Sequence, residues 1–276
     1  MMATTVLGKS RIGFIGCGAM ARALAGGLID SGVSADRILA SDPFESARKA
    51  FEEAIGAPTT DRNDEVVASV DAVVLAVKPG AVPTVLANLD PEQAARPLWI
   101  SIAAGVPLSR LRAALPSEAR IVRTMPNTPA LVGAGATAYF PGPGVGDADL
   151  GLTAGILEAT GWCWRAPDEG LLDAVTGLSG SGPAYVFLIL EALADAGVKE
   201  GLPRQAAQEF ATRTVLGAAR LALETGTHPG ILKDQVTSPG GTTIAGLEQL
   251  EAHGVRAALY DAVRAASARS RALRDD

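Results

Sequence analysis

The chain has 276 residues, of which 48% are hydrophobic and 20% charged, with 24 Lys and Arg against 30 Asp and Glu for a formal net charge of -6. That composition can fill one large core or two modest ones and excludes wholesale disorder. The acidic balance argues against a nucleic acid or an anionic membrane as partner, since either rewards a basic face. Cys17 and Cys163 are the two cysteines; they form neither a disulfide framework nor a metal-ligand spacing, so no metal is expected. The start, "MMATTVLGKSRIGFIGCGAM", reads as a short strand broken by glycines rather than a signal peptide. The apolar stretch "AYVFLILEAL" runs about ten residues before charge returns, half of the roughly 20 needed to span a bilayer. These features lead us to expect a cytoplasmic protein.

Along residues 11–165, short β-branched runs alternate with helical patterns. "RIGFIG" predicts a strand, "AMARALAGGLIDSG" a helix ended by Gly32, "RILASD" a second strand and "PFESARKAFEEAIG" a helix with Pro43 at its start. "DAVVLAVKP", "PLWISIAAG" and "ARIVRTMPNTP" follow as strands, then "GATAYFPGPGVG" as a strand and turn, "DADLGLTAGILEATG" as a helix and "WCWRA" as a closing strand. Such alternation implies parallel strands joined by helical crossovers. From about residue 167, helical periodicity persists to the end, punctuated by Pro and Gly. The expectation is an α/β protein: a Rossmann-like dinucleotide-binding domain over 1–166 and an all-α dimerisation domain over 167–276. The second domain is Ala-rich and poor in aromatics, so its own core is small, and burying its apolar faces against a second copy is a natural solution.

"IGFIGCGAMA" places Gly16 and Gly18 after a strand and at a helix start, with Ala21 third in a G-x-G-x-x-A pattern. Gly16 permits the tight turn, Gly18 lets the backbone approach a pyrophosphate, and Ala21 keeps the helix close to the sheet. Ala19 and Met20, at the helix N-terminus, offer N–H groups to the same phosphates. The second strand ends at Ser41-Asp42. An acidic residue there takes ribose hydroxyls and disfavours a 2′-phosphate, whereas Ser41 and the nearby Arg48 and Lys49 could serve one, so NADH and NADPH both stay open. Asp42 could equally cap the next helix. Three further segments end predicted strands, where ligands bind in such sheets: Ala76, Val77, Lys78 and Pro79; Ile102 to Gly105, including Ala103 and Ala104; and Met125 to Pro129. Asn127, between two prolines, suits a structural turn as well as a ligand contact.

The helical half contributes "KDQVTSPGGTTIAGLEQLE". Two glycines and four small hydroxyl residues precede or open a helix there. Gly240 and Gly241 expose backbone N–H groups without side-chain obstruction, and the helix start adds its dipole, so a carboxylate could bind without a basic residue. A plain turn with Thr242 as N-cap would explain the helix start alone.

Together with "AVTGLSGSGPAYVFLILEALADAGVKEGLPR", "GCGAMA", "AVKP", "AAGV" and "MPNTP", this segment resembles the pyrroline-5-carboxylate reductases along essentially the whole chain. The resemblance implies reduction of Δ1-pyrroline-5-carboxylate to L-proline with NADPH or NADH. It further implies a domain-swapped homodimer, with a ring of such dimers as a larger assembly, in which the loop of a helical domain faces the nicotinamide. By the same resemblance Ser238, Gly241, Thr242 and Thr243 bind the substrate carboxylate and ring, the Thr243 hydroxyl stands near the imine nitrogen as the catalytic group, and Asn63 lies at the adenosine ribose or its 2′-phosphate. Some members carry an acidic residue before the His-Pro pair; Gly226-Thr227 stand there in this chain, so that contact is not expected. A β-hydroxyacid dehydrogenase is the rival enzyme, but it wants a general acid/base, usually a lysine on the following helix, and residues 170–198 contain none. A non-catalytic dinucleotide-binding scaffold would have no use for the SPGGTT loop.

Overall fold

The computed structural model describes Leu7 and residues 9–275. It resolves into two compact units, residues 1–180 with 266–276, and residues 181–265.

In the first unit, β1 (Ile12–Ile15) leads through the glycine turn to α1 (Ala19–Asp30), β2 (Ile38–Ser41), α2 (Glu45–Ile55), the two-residue β3 (Thr59–Thr60) and α3 (Asn63–Ser69). After β4 (Ala72–Leu75) come α4 (Val82–Ala87), α5 (Pro91–Ala94), β5 (Leu98–Ser101), α6 (Leu108–Ala114) and β6 (Arg120–Met125). β7 (Gly135–Pro141), α7 (Asp147–Glu158), β8 (Gly161–Arg165) and the short α8 (Leu171–Val175) complete it. The strands form one sheet in the order β3-β2-β1-β4-β5-β6-β7-β8. The chain winds outward from β1 to β3, then returns to the other side of β1 at β4. That reversal leaves a crevice at the carboxyl ends of β1 and β4. β1 and β4 are buried at every position, the near-continuous apolar reading of strands covered on both faces. Phe14, Leu24, Leu28, Phe51, Val74 and Ile100 belong to one buried cluster, and Ile15, Val73, Leu75, Trp99 and Leu111 to another.

The all-parallel expectation needs one correction. β7 runs antiparallel to β6. The link between them holds only a short 3₁₀ segment, Thr128–Val132, and a parallel return would need a crossover of a dozen residues or more.

The second unit contains α9 (Gly182–Lys199), α10 (Arg204–Thr225), α11 (Pro229–Gln235), α12 (Thr242–Ala252) and the first part of α13 (Val255–Asp275). Its buried cluster is Ala194, Ala207 and Ala211, with Leu190 and Val198 against it. Phe187, Leu188, Phe210, Leu216, Leu223 and Tyr260 are all exposed. One copy therefore leaves these large apolar side chains uncovered.

The compact-unit boundary lies beyond the expected 166/167. Leu172 of α8 is fully buried with Ala138 and Ala166, which draws residues 167–180 into the first unit. A π-helical turn, Thr176–Gly180, follows α8, and α9 begins after a bend at Ser181; counted together, Leu171–Lys199 spans 29 residues. By length and composition alone that run is apolar enough to cross a membrane, a longer candidate than the ten-residue apolar stretch it contains.

The last turns of α13 belong to the first unit. Ser270 donates a 2.7 Å hydrogen bond to Asp173 Oδ1, and Arg274 pairs with Asp173 Oδ2 at 3.3 Å. Arg123, almost wholly buried on β6, pairs with Glu169 at 2.8 Å and lies 3.9 Å from Asp173. Glu169 Oε1 also accepts the N–H of Leu108. In the cluster each buried charge faces an opposite one, and Glu169 Oε1 and Asp173 Oδ1 accept the hydrogen bonds.

Candidate active site

Four adjacent parallel strands present their carboxyl ends side by side. The N–H of Gly16 donates to Ser41 O at 2.7 Å, that of Ala76 to Ile15 O at 2.8 Å, and that of Ile102 to Leu75 O at 3.2 Å. These bonds align the turn after β1 with Ser41, with Ala76, Val77, Lys78 and Pro79, and with Ala103 and Ala104. Gly16 has φ of +102°, and a Cβ on it would sit 2.6 Å from Ala76 O; only glycine fits the turn there. Gly18 is different. A Cβ on it would meet nothing within 4 Å, so the space above it is open, as a bound pyrophosphate would require. Gly18 is the N-cap of α1 and makes no side-chain cap; the N–H groups of Ala19 and Met20 therefore have no intrahelical acceptor and face the dipole-favoured anion position. Ala21 is buried where close helix–sheet packing requires it. These features fit a nicotinamide dinucleotide.

Asp42 serves neither as the expected N-cap nor as an idle surface charge. Phe44 is the N-cap of α2. The Asp42 carboxylate instead accepts the N–H of Cys17 at 3.0 Å and that of Phe44 at 2.9 Å. Ser41 is fully buried, and its hydroxyl donates to Asn63 Oδ1 at 2.8 Å, which brings Asn63 to the β2 end. Burial pushes the Cys17 thiol up to about 12, with the Asp42 charge adding to the effect; at neutral pH it is a filler, not a nucleophile. Lys78 is exposed and makes no ion pair among the described residues. Asn127 is a structural pin: its Oδ1 accepts the N–H of Ala136 and its Nδ2 donates to Ser179 Oγ.

The other expected set lies in the second unit. Gly240 has φ of +64°, and the N–H of Gly241 donates to Ser238 O at 3.1 Å. A Cβ on Gly241 would fall 2.2 Å from Ser238 Oγ, so the hydroxyl occupies the place of a side chain. Gly241 is the N-cap of α12, with no side-chain cap, and the helix begins at Thr242. The Thr242-cap reading is corrected: the first-turn N–H groups of Thr242 and Thr243 remain unsatisfied by the chain itself. Thr243 is half-buried, and its hydroxyl makes no hydrogen bond among the described residues. Gly240 and Gly241 also line a cavity of about 560 Å³ with Lys233, Ile244, Leu247 and Arg256. His228 accepts the N–H of Gly230 as the cap of α11, and His253 Nδ1 lies 2.8 Å from Gln249 O; both are tied to local backbone. Among the described residues no group of His, Cys, Asp and Glu is arranged for a metal.

Sequence reasoning missed the double role of Asp42 and the Asp173 cluster. Both depend on long-range partners, which periodicity does not report.

Residues 169–273 match the family "Pyrroline-5-carboxylate reductase dimerisation", and residues 11–105 match "NADP oxidoreductase coenzyme F420-dependent". The pyrroline-5-carboxylate reductase of Methanosarcina acetivorans is 48% identical over 96% of this chain and 98% of its own length. That of Glycine max is 46% identical over 95% of each. Among solved structures, the pyrroline-5-carboxylate reductase of Coxiella burnetii superposes with a TM-score of 0.90 at 39% identity, covering 96% of this chain and 98% of that one. The Plasmodium falciparum pyrroline carboxylate reductase with NADP bound superposes with a TM-score of 0.86 at 32% identity, covering 97% and 99%. With the glycine turn, the strand-end loops and the SPGGTT helix start all in place, the chain belongs to the pyrroline-5-carboxylate reductase family.

Proposed function

We propose that this protein reduces Δ1-pyrroline-5-carboxylate to L-proline with a reduced nicotinamide cofactor, the last step of proline biosynthesis. The observation that carries the reading is the uncapped, glycine-led start of α12, which offers N–H donors to a carboxylate in a chain that also holds an open dinucleotide turn at Gly18.

Gly16, Gly18, Ala19 and Met20 hold the pyrophosphate, Asn63, positioned by the buried Ser41 hydroxyl, the adenosine ribose, and Ala76, Val77, Lys78, Pro79, Ala103 and Ala104 the nicotinamide side. When bound, the reduced nicotinamide supplies the hydride. Ser238, Gly240, Gly241 and Thr242 fix the substrate carboxylate through backbone N–H groups and the Ser238 hydroxyl. The Thr243 hydroxyl donates a hydrogen bond to the ring nitrogen as it changes from imine to amine. A protonated imine already accepts hydride readily, so orientation and exclusion of water are the main tasks. No acid/base dyad is needed.

The exposed apolar side chains of the second unit belong, in this reading, to a homodimer interface, and dimers assemble into a larger ring. Such an interface also accounts for the apolar run Leu171–Lys199 without a membrane. The dimer is domain-swapped, so a loop and a dinucleotide unit that serve one site come from different copies. Nucleic acid has no role, and the protein works in the cytoplasm.

The test is oxidation of NADH and NADPH by the purified protein with racemic pyrroline-5-carboxylate, checked for proline. Substrate-dependent oxidation yielding proline is expected. A folded sample that binds cofactor yet stays inactive with both would overturn the reading, as would activity with β-hydroxyacids instead.

A further inference from the structure

We infer that Asp42 makes this chain prefer NADH, by denying the 2′-phosphate of NADPH its place at the adenosine ribose. The inference rests on the dinucleotide reading of the glycine turn.

The Asp42 carboxylate is pinned from two sides. Oδ2 accepts from Cys17 in the glycine turn and Oδ1 from Phe44 at the start of α2. Each oxygen keeps a further lone pair, and a carboxylate accepts hydrogen bonds without donating any. A ribose diol can donate to it; a phosphate cannot, and brings a second anion against the first. In doubly wound sheets an acidic residue at this place takes the 2′-hydroxyl, whereas a 2′-phosphate needs a nearby Arg.

Two of the bases that could compensate stand beside carboxylates that offset their charge toward a phosphate. Lys49 pairs with Glu45 at 2.8 Å. Arg62 pairs with Asp64 at 2.8 Å and Glu65 at 3.4 Å. Arg48 forms no ion pair among the described residues, but its Nη1 donates to the Asp42 carbonyl at 2.7 Å. Asn63, with Oδ1 taken by Ser41, presents its amide N–H groups; these are neutral donors that suit a ribose oxygen. The β2 end thus holds one fixed carboxylate and two guanidinium groups without an ion pair among the described residues, Arg48 on the Asp42 carbonyl and Arg22 on the Cys17 carbonyl at 2.9 Å. Removing the carboxylate takes away the fixed anion and leaves Arg48, held at the β2 end by the backbone carbonyl of residue 42, without a competing charge toward a phosphate.

The test is calorimetric titration of the full chain with NADH and with NADPH, without substrate, for wild type, Asp42→Ser and Asp42→Ser/Arg48→Ala. Wild type should bind NADH at least about tenfold more tightly, since like-charge contact is strongly unfavourable. Asp42→Ser should lower NADH affinity, raise NADPH affinity and reverse the ratio; the added Arg48→Ala should remove the NADPH gain. Asp42→Asn, which keeps the shape and one acceptor oxygen, should narrow the ratio if the serine variant fails to fold. Equal or tighter NADPH binding by wild type would overturn the inference, as would an unchanged ratio in a folded Asp42 variant. Binding of neither cofactor would overturn the dinucleotide reading and the preference with it.

Discussion

At the scale of single residues, two substitutions separate binding from chemistry. Thr243→Val keeps the shape and removes the hydroxyl. If that hydroxyl serves the ring nitrogen mainly in the transition state, turnover should fall by roughly 10- to 1000-fold with cofactor affinity nearly unchanged. Thr242→Val, whose expected contact is through backbone N–H, should stay near wild type; the opposite pattern in kcat would show that the other threonine acts. Gly18→Val tests the other half of the site. Because a Cβ at Gly18 meets no atom within 4 Å, the fold should survive by circular dichroism and melting while cofactor affinity collapses. The glycine positions were legible because the pattern G-x-G-x-x-A has a mechanical reason at each place. The lack of a side-chain cap at Gly241 was not legible. Thr242 looks like a cap in one dimension, and only the turn geometry puts Gly241 at the cap position.

At the scale of elements, seven of the eight strands could be read from β-branched runs, whereas Thr59–Thr60 and the short helices α3 to α6 span too few residues to show a period. The antiparallel turn of β7 was hidden for a related reason: strand direction follows from the connection, and the 3₁₀ segment Thr128–Val132 leaves no crossover helix to read. The tie between α8 and the end of α13 was invisible because Asp173 and Ser270 lie 97 residues apart. That tie gives a stability prediction. Asp173 is fully buried, and Asp173→Ala would leave Arg123 with Glu169 alone and Ser270 without its acceptor. Loss of a buried partner of this kind should cost about 3–5 kcal/mol, read as a lower urea midpoint with an unchanged slope. A shift of less than about 0.5 kcal/mol, the level of an ordinary surface substitution, would show that the cluster contributes little.

At the scale of the whole molecule, a second unit whose buried cluster is three alanines cannot account for its own stability, and its exposed Phe187, Leu188, Phe210 and Leu216 call for a partner copy. The helical patterns made the dimerisation domain legible; which apolar side chains stay uncovered emerged only with the packing. We propose that one reductive site needs a dinucleotide turn and an SPGGTT loop from different copies. Mixing Gly18→Val with Thr243→Val subunits tests it most directly. In a mixed swapped dimer, one site carries both defects and the other carries neither. Random exchange of equal amounts should then restore pyrroline-5-carboxylate-dependent cofactor oxidation to about a quarter of wild type, as half the dimers are mixed and one site in each works. Mixed dimers that form, by native mass spectrometry, yet stay as inactive as either parent would contradict the account.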